Sequence, residues 1–243
     1  VDKIEKIVYI NLDKRKKRKV SMESQLGALD IPYERFAAIA PTDDSLLDED
    51  GEYRSFYERT SPRIQSYFNS STTTKGSRKR GRGIFGCYLS HKKILENNIS
   101  NDGVLLILED DAFIGQKTIE HLESLMSGSF SDKDWDIIRL TQNNSDHFGR
   151  HRGNVKKFKL ANRQSRFKKG KGTTEAGGTH ICVINKHKTG KILDYLNREA
   201  VFNIDSVYCT YYINSYLVKP PFRTQTAHCS YSDIPKISIK KRK

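Results

Sequence analysis

The sequence predicts a single α/β domain built on a central, mostly parallel sheet flanked by helices. Three observations predict it. First, the chain opens strand, helix, strand. Residues 6–12 (KIVYINL) form an apolar run, Met22, Leu26 and Leu29 recur at spacings of four and three, and residues 35–39 (RFAAI) return to an extended pattern. Two strands joined through a helix in this way lie parallel. Second, Val104 to Leu108 is a continuous apolar run, the pattern of a strand covered on both faces. Third, strand-like WDIIRL (135–140) and HICVIN (180–185) alternate with helical patterns. A length of 243 residues is compatible with one large domain.

Taken in order, the first helix is expected to be capped by Asp13 and ended by Ile31-Pro32-Tyr33. Residues 41–83 lack strong periodicity, running from acidic to Ser/Thr-rich to basic, with a helix expected over 53–68. An insert of this length is read as a functional loop, a lid or a disordered piece. Its aromatics, Tyr53, Tyr57 and Tyr67, either stack on a bound ligand or form a small local core. A helix is expected over 85–99, where Phe85, Leu89, Leu95 and Ile99 fall near one face, and residues 104–109 make the central strand. Further helices are expected around Ile119, Leu122 and Leu125 and over 188–196. Residues 143–172 read as a loop rich in His, Arg and Lys, 201–216 as an aromatic segment carrying Asp205, and 236–243 as a basic tail.

The composition is hydrophilic, with 36% hydrophobic and 30% charged residues and a formal net charge of +14. Such a chain favours anionic partners: phosphates, nucleotides, nucleic acid or an acidic membrane surface. The four cysteines (Cys87, Cys182, Cys209, Cys229) show no CxxC spacing and are expected as free thiols in a reducing compartment. No signal peptide or run of eighteen apolar residues is visible, and the expected location is cytoplasmic, with peripheral contact to a membrane surface as an option. The chain begins at Val1, consistent with processing, trimming or excision from a longer protein.

The central strand ends in Glu109-Asp110-Asp111. Three adjacent carboxylates repel one another, and burying one without a partner is costly. A divalent cation removes both penalties, and Mg2+ and Mn2+ favour carboxylate and phosphate oxygens. The carboxyl ends of parallel strands are also where open α/β sheets bind ligands. On an extended backbone Glu109 and Asp111 face one ion and Asp110 faces elsewhere. A solvated acidic turn is the competing reading.

Four further clusters carry chemistry. Asn11, Arg15 and Arg18 close the first strand and open the first helix, where a helix start and forked guanidinium groups suit phosphate. A solvated basic helix is the plainer reading. GIFGCYLSHK (83–92) reads as a glycine-bearing helix start with Ser90 and His91 one turn inside. Gly177-Gly178-Thr179-His180 leads into a strand, where glycines let another group approach closely or simply make a turn. Asp205, an acid among apolar residues, suits a general base or a helix cap.

In this order the pieces VYINLDKRKKR, FAAI, GCYLSHKKILE, LLILEDDA, WDIIRL, GGTHICVINKHKTGKIL, NIDSVY and SDI resemble glycosyltransferase family 25, from about residue 7 to 234. The resemblance implies a GT-A-like single domain over 1–235. It implies inverting transfer of galactose or glucose from a UDP-sugar to a hydroxyl of a glycan, glycolipid (lipooligosaccharide) or glycoprotein acceptor. By that resemblance Glu109, Asp110 and Asp111 inherit the role of holding Mn2+ or Mg2+ and the diphosphate. Asn11, Arg15, Arg18, Ser90, His91, Asp110 and Thr179 inherit the donor side, and Asp205 becomes the base for the acceptor hydroxyl. The insert at 41–83 and the basic stretch at 150–171 match no family motif and are the expected seats of acceptor specificity.

Two other classes fit part of the composition. Clustered acids in a basic chain suit a metal-dependent nuclease, and Lys/Arg runs suit a nucleic-acid-binding module. The order of the motifs argues against both, so nucleic acid is not the expected partner.

Overall fold

The computed structural model describes residues 3–42, 51–60, 62–68, 75–99, 102–140, 155–157, 179–198, 204, 208 and 212–218. The strands are β1 (Ile4–Asn11), β2 (Tyr33–Ala37), β3 (Val104–Glu109), β4 (Ile137–Leu140), β5 (Val155–Lys157), β6 (Ile181–Asn185) and β7 (Ser215–Val218). The helices are α1 (Lys16–Leu26), α2 (Glu52–Arg59), α3 (Pro62–Gln65), α4 (Lys75–Asn97), α5 (Gln116–Ser124) and α6 (Thr189–Arg198).

Among the described residues one sheet runs β2-β1-β3-β6-β4-β7-β5. The strands β2, β1, β3, β4 and β7 share one direction, while β6 and β5 run against them. The chain is therefore an α/β domain on a mostly parallel sheet, as the opening β1-α1-β2 pattern requires. Burial explains why β3 lies in the middle. Every residue from Val104 to Leu108 is at least 98% covered, because helices pack on both faces.

Alternation along the strands feeds two cores. On one face Ile7, Tyr9, Leu106 and Leu108 meet Met22 and Leu26 of α1 and Ile119 and Leu122 of α5. On the other face Val8, Leu105 and Ile107 meet Phe85, Tyr88 and Leu95 of α4 and Ile192 and Leu196 of α6.

Two local expectations are corrected. Asp13 does not cap α1. Arg15 occupies the cap position with no side-chain cap bond, and the Asp13 carboxylate pairs instead with Arg35. The helix expected from Phe85 starts ten residues earlier at Lys75, so Gly83 and Gly86 lie inside it and do not form an opening phosphate loop. Gly86 has a packing role. A Cβ there would lie 2.4 Å from the Ile39 carbonyl oxygen and 2.8 Å from Pro41 Cδ. The segment after β2 thus lies directly on α4, and Ser90 fastens it by accepting from Ile39 N at 2.9 Å and donating to Gly86 O at 2.7 Å. Gly86→Ala is expected to cost about 1–3 kcal/mol through this clash, read as a lower urea midpoint at unchanged slope.

The insert is partly ordered as helix. Tyr53 and Phe56 pack edge-on or tilted against Phe85, Phe56 also against Tyr88, and Phe68 edge-on against Tyr53 and Phe56, with ring centroids 4.9–6.3 Å apart. Tyr67 is buried beneath the Arg80 guanidinium, and Lys92 reaches back to Glu52 at 2.5 Å. These rings form a local core with α4, the second of the two alternatives open from the sequence. Strands β5 and β7 were not anticipated. The basic tail lies outside the described residues, as do Cys209 and Cys229, while Cys87 and Cys182 are in no disulfide. No helix among the described residues is long and apolar enough to cross a membrane.

Candidate active site

The parallel strands β1 and β3 end side by side, with Ile10 in register with Glu109. Strand β6 runs the other way, so its beginning meets the end of β3, and Glu109 N donates to His180 O at 3.1 Å. Topology thus gathers Asn11, the acids 109–111 and Thr179-His180 at one rim. Just past Glu109 the chain turns, with Ala112 N bonded to Glu109 O at 2.9 Å. Buried Ala112 and Ile114 anchor the far side of that turn, and Ile114 N donates to Gln25 Oε1 of α1 at 3.0 Å.

The turn sends the acids to two addresses. Asp110 points to the first strand and helix. Arg18 Nη1 donates to its Oδ1 at 2.6 Å, and Asn11 Nδ2 donates to its Oδ2 at 2.7 Å. The Asn11 amide is itself oriented, because Arg35 Nε donates to its oxygen at 3.2 Å and leaves the nitrogen to face Asp110. Burial pushes the Asp110 carboxyl above its usual range, while the Arg18 and Asn11 hydrogen bonds pull it back part of the way. Arg15 is half-buried beside this cluster, and its carbonyl accepts from Asn11 Nδ2 at 3.3 Å.

Glu109 and Asp111 share His180. Its Nδ1 lies 2.8 Å from Asp111 Oδ1 and 3.4 Å from Glu109 Oε2, and the Thr179 hydroxyl donates to Glu109 Oε1. Burial works against charge on Glu109 and His180. Even so, hydrogen bonds and the opposite charges win: His180 is raised well above the usual imidazole range and Glu109 is held down at about 2. An imidazolium here balances two carboxylates. Ligand atoms of Glu109, Asp111 and His180 all lie within 4.8 Å of one another. Two carboxylates and one imidazole form a donor set that fits Mn2+, and less closely Mg2+. A divalent ion would take over the charge balance that the protonated ring now supplies. Asp110, with both oxygens engaged by Arg18 and Asn11, is not part of this trio.

On the α4 side, His91 is fully buried. Its Nδ1 lies 3.0 Å from the Tyr208 hydroxyl, and burial lowers it to about 4 against the raising effect of Glu109. Ser90 spends its hydroxyl on the backbone contacts described above. The general-base candidate Asp205 lies outside the described residues.

His180 was named from the sequence only as the end of the Gly177–His180 motif, and neither it nor Arg35 nor Tyr208 was assigned a role. His180 follows Thr179 directly, yet its role depends on β6 running antiparallel to β3, which no local pattern announces. Arg35 had only its place in a strand-like run as a signal. Tyr208 lay in an aromatic segment that offered several equivalent rings.

The arrangement is a polar corner in which Asn11, Arg18 and Arg35 surround Asp110, beside an acidic trio able to hold a cation, at the carboxyl edge of a mostly parallel sheet. A search of curated proteins returned no match. The family profile described as glycosyltransferase family 25 (LPS biosynthesis protein) matches residues 4–208, which span every described residue of the site. The match covers most of the chain, and the protein belongs to glycosyltransferase family 25.

Proposed function

We propose that this glycosyltransferase moves a hexose, galactose or glucose, from a UDP-sugar to a hydroxyl of a glycan, lipooligosaccharide or glycoprotein acceptor, with inversion at the anomeric carbon. The observation that carries the reading is the convergence of Glu109, Asp111 and His180 within 4.8 Å of one another next to the Arg18–Asp110 pair. Nucleotide diphosphate chemistry asks for this combination: fixed cations and a metal-binding acid set where negative charge grows on the leaving group.

Asp111, Glu109 and His180 would hold the divalent ion, and when bound it neutralises charge developing on the leaving diphosphate. Arg18 sits 4.0 Å from Asp111 Oδ2, placed to lend positive charge to the same rim. Arg35 orients the Asn11 amide, which together with Arg18 holds Asp110 in place. Asp205 takes the proton of the acceptor hydroxyl, which attacks from the face opposite the leaving group; that assignment rests on the NIDSVY motif. Bond formation to the acceptor oxygen and loss of the diphosphate are balanced by that single proton transfer, with no covalent sugar on the protein. The acceptor loops are the insert and the basic stretch at 150–171. The positive charge of the 150–171 stretch favours an acceptor bearing phosphate or lying on an anionic membrane.

The test is a screen for UDP release from UDP-galactose, UDP-glucose and related donors, with and without Mn2+. One donor should be hydrolysed slowly in the absence of acceptor, and only with the metal. If no uridine diphosphate sugar is consumed, or if chelation leaves the rate unchanged, the donor or the metal assignment is wrong. Cleavage of labelled DNA or RNA under the same conditions would favour a nuclease instead.

A further inference from the structure

A second group of ligating atoms lies behind the acidic trio. Cys87 and His91 stand one turn apart on α4 and therefore on the same side of the helix. They face the end of β3, and ligand atoms of Cys87, His91 and Glu109 all lie within 4.8 Å of one another. His91 is fully buried, and its Nε2 has no hydrogen-bond partner among the described residues. A buried polar atom left without a partner costs stability and calls for an explanation. Its other nitrogen is already placed by the Tyr208 hydroxyl at 3.0 Å. That is the usual arrangement of a metal-ligating histidine, in which a hydrogen bond at one ring nitrogen fixes the tautomer and leaves the other's lone pair for the ion.

We propose that Cys87, His91 and Glu109 form a binding site for a thiophilic divalent cation of the Zn2+ class, distinct in chemistry from the all-oxygen-and-imidazole trio at the rim. Thiolate, imidazole and carboxylate are the three protein ligands zinc prefers, and a fourth position is left for water. A tetrahedral ion at ordinary zinc distances sets its ligand atoms roughly 3.5 Å apart. Atoms within 4.8 Å of one another need a contraction of no more than roughly 1.3 Å, within the reach of χ rotations of Cys87 and Glu109. Binding releases the Cys87 proton to solvent, and no other bond changes. Glu109 belongs to both groups, so filling this site fixes the carboxylate that closes β3.

The experiment uses Co2+ as a coloured stand-in for Zn2+ on the intact, metal-stripped chain. A thiolate-to-cobalt charge-transfer band should appear in the near ultraviolet and saturate at one equivalent. The rim trio contains no sulfur and cannot produce it. The band should be lost in Cys87→Ser and retained in a variant whose other cysteines, Cys182, Cys209 and Cys229, are serine. A second measurement needs no substitution. Saturating Zn2+ should slow alkylation of Cys87 by iodoacetamide at least about tenfold, because the thiolate is the reactive species. No thiolate band in the wild-type chain, a band that survives Cys87→Ser, or alkylation of Cys87 indifferent to Zn2+ would overturn the site. None of these readouts depends on sugar transfer, so failure here leaves the donor assignment standing, and the reverse.

Discussion

Asp111→Asn is expected to lower sugar transfer at least about a hundredfold, the scale of losing one well-placed electrostatic group at a reacting centre. Its carboxylate is 7% exposed, lies 2.8 Å from His180 and 4.0 Å from Arg18, and is one of the two acids in the trio. Asparagine keeps the shape and can still accept from the His180 ring, so the fold should survive. What it removes is the formal charge on which cation binding relies. The check is UDP release at saturating donor and Mn2+, together with a melting curve. Near-wild-type turnover would remove Asp111 from the proposed ligand set. A collapse of the melting temperature would show that its role is structural.

The second large effect is on stability. Arg18→Leu should destabilise the fold by about 3 kcal/mol, because it strands a mostly buried carboxylate. The two side chains are 16% and 12% exposed and 2.6 Å apart, so solvent screens the pair little. Asn11 alone would then face Asp110. For a chain of this size about 3 kcal/mol corresponds to a drop of about 6–12 °C in melting temperature. Adding Asp110→Asn to Arg18→Leu should recover much of the loss, since the stranded charge disappears with it. If Arg18→Leu melts like the wild type, the pair is a surface contact and its geometry here has no energetic weight. If the double variant is no better than the single, the loss comes from packing of the Arg18 stem and not from the stranded charge.

Much of this fold was readable because its signals are local. An apolar run interrupted by three acids announces a strand end, and the 3.6-residue recurrence of Met22 and Leu26 announces α1. The helix α4 was read short because its first turns, Lys75 to Arg82, are basic and glycine-bearing and carry no apolar stripe. What holds that stretch is packing, with Gly81 fitting under the Phe68 ring, where a Cβ would lie 2.8 Å away. Strands β5 and β7 were missed for a related reason. They are only 3 and 4 residues long, too short to show a period. The candidate site divides along the same line. Asn11, Arg18 and the acids at 109–111 sit in recognisable strand-end motifs. Their division into one acid for Arg18 and two for His180 follows from the turn at Ala112 and from the direction of β6, and both are decided by contacts distant in sequence.

The pairing of β4 with β6 has a further consequence. Leu140 lies in register with Ile181, so β4 ends and β6 begins at neighbouring points on the rim of the site, and between them β5 joins the edge of the sheet beside β7. A detour between such points can lengthen or shorten at a closure cost that grows only with the logarithm of its length. Residues 141–178 therefore make a natural splice position, provided the exchanged piece keeps a strand in the place of β5. Exchanging that stretch between relatives should retarget the enzyme to a new sugar-accepting molecule while the carboxylates stay where they are.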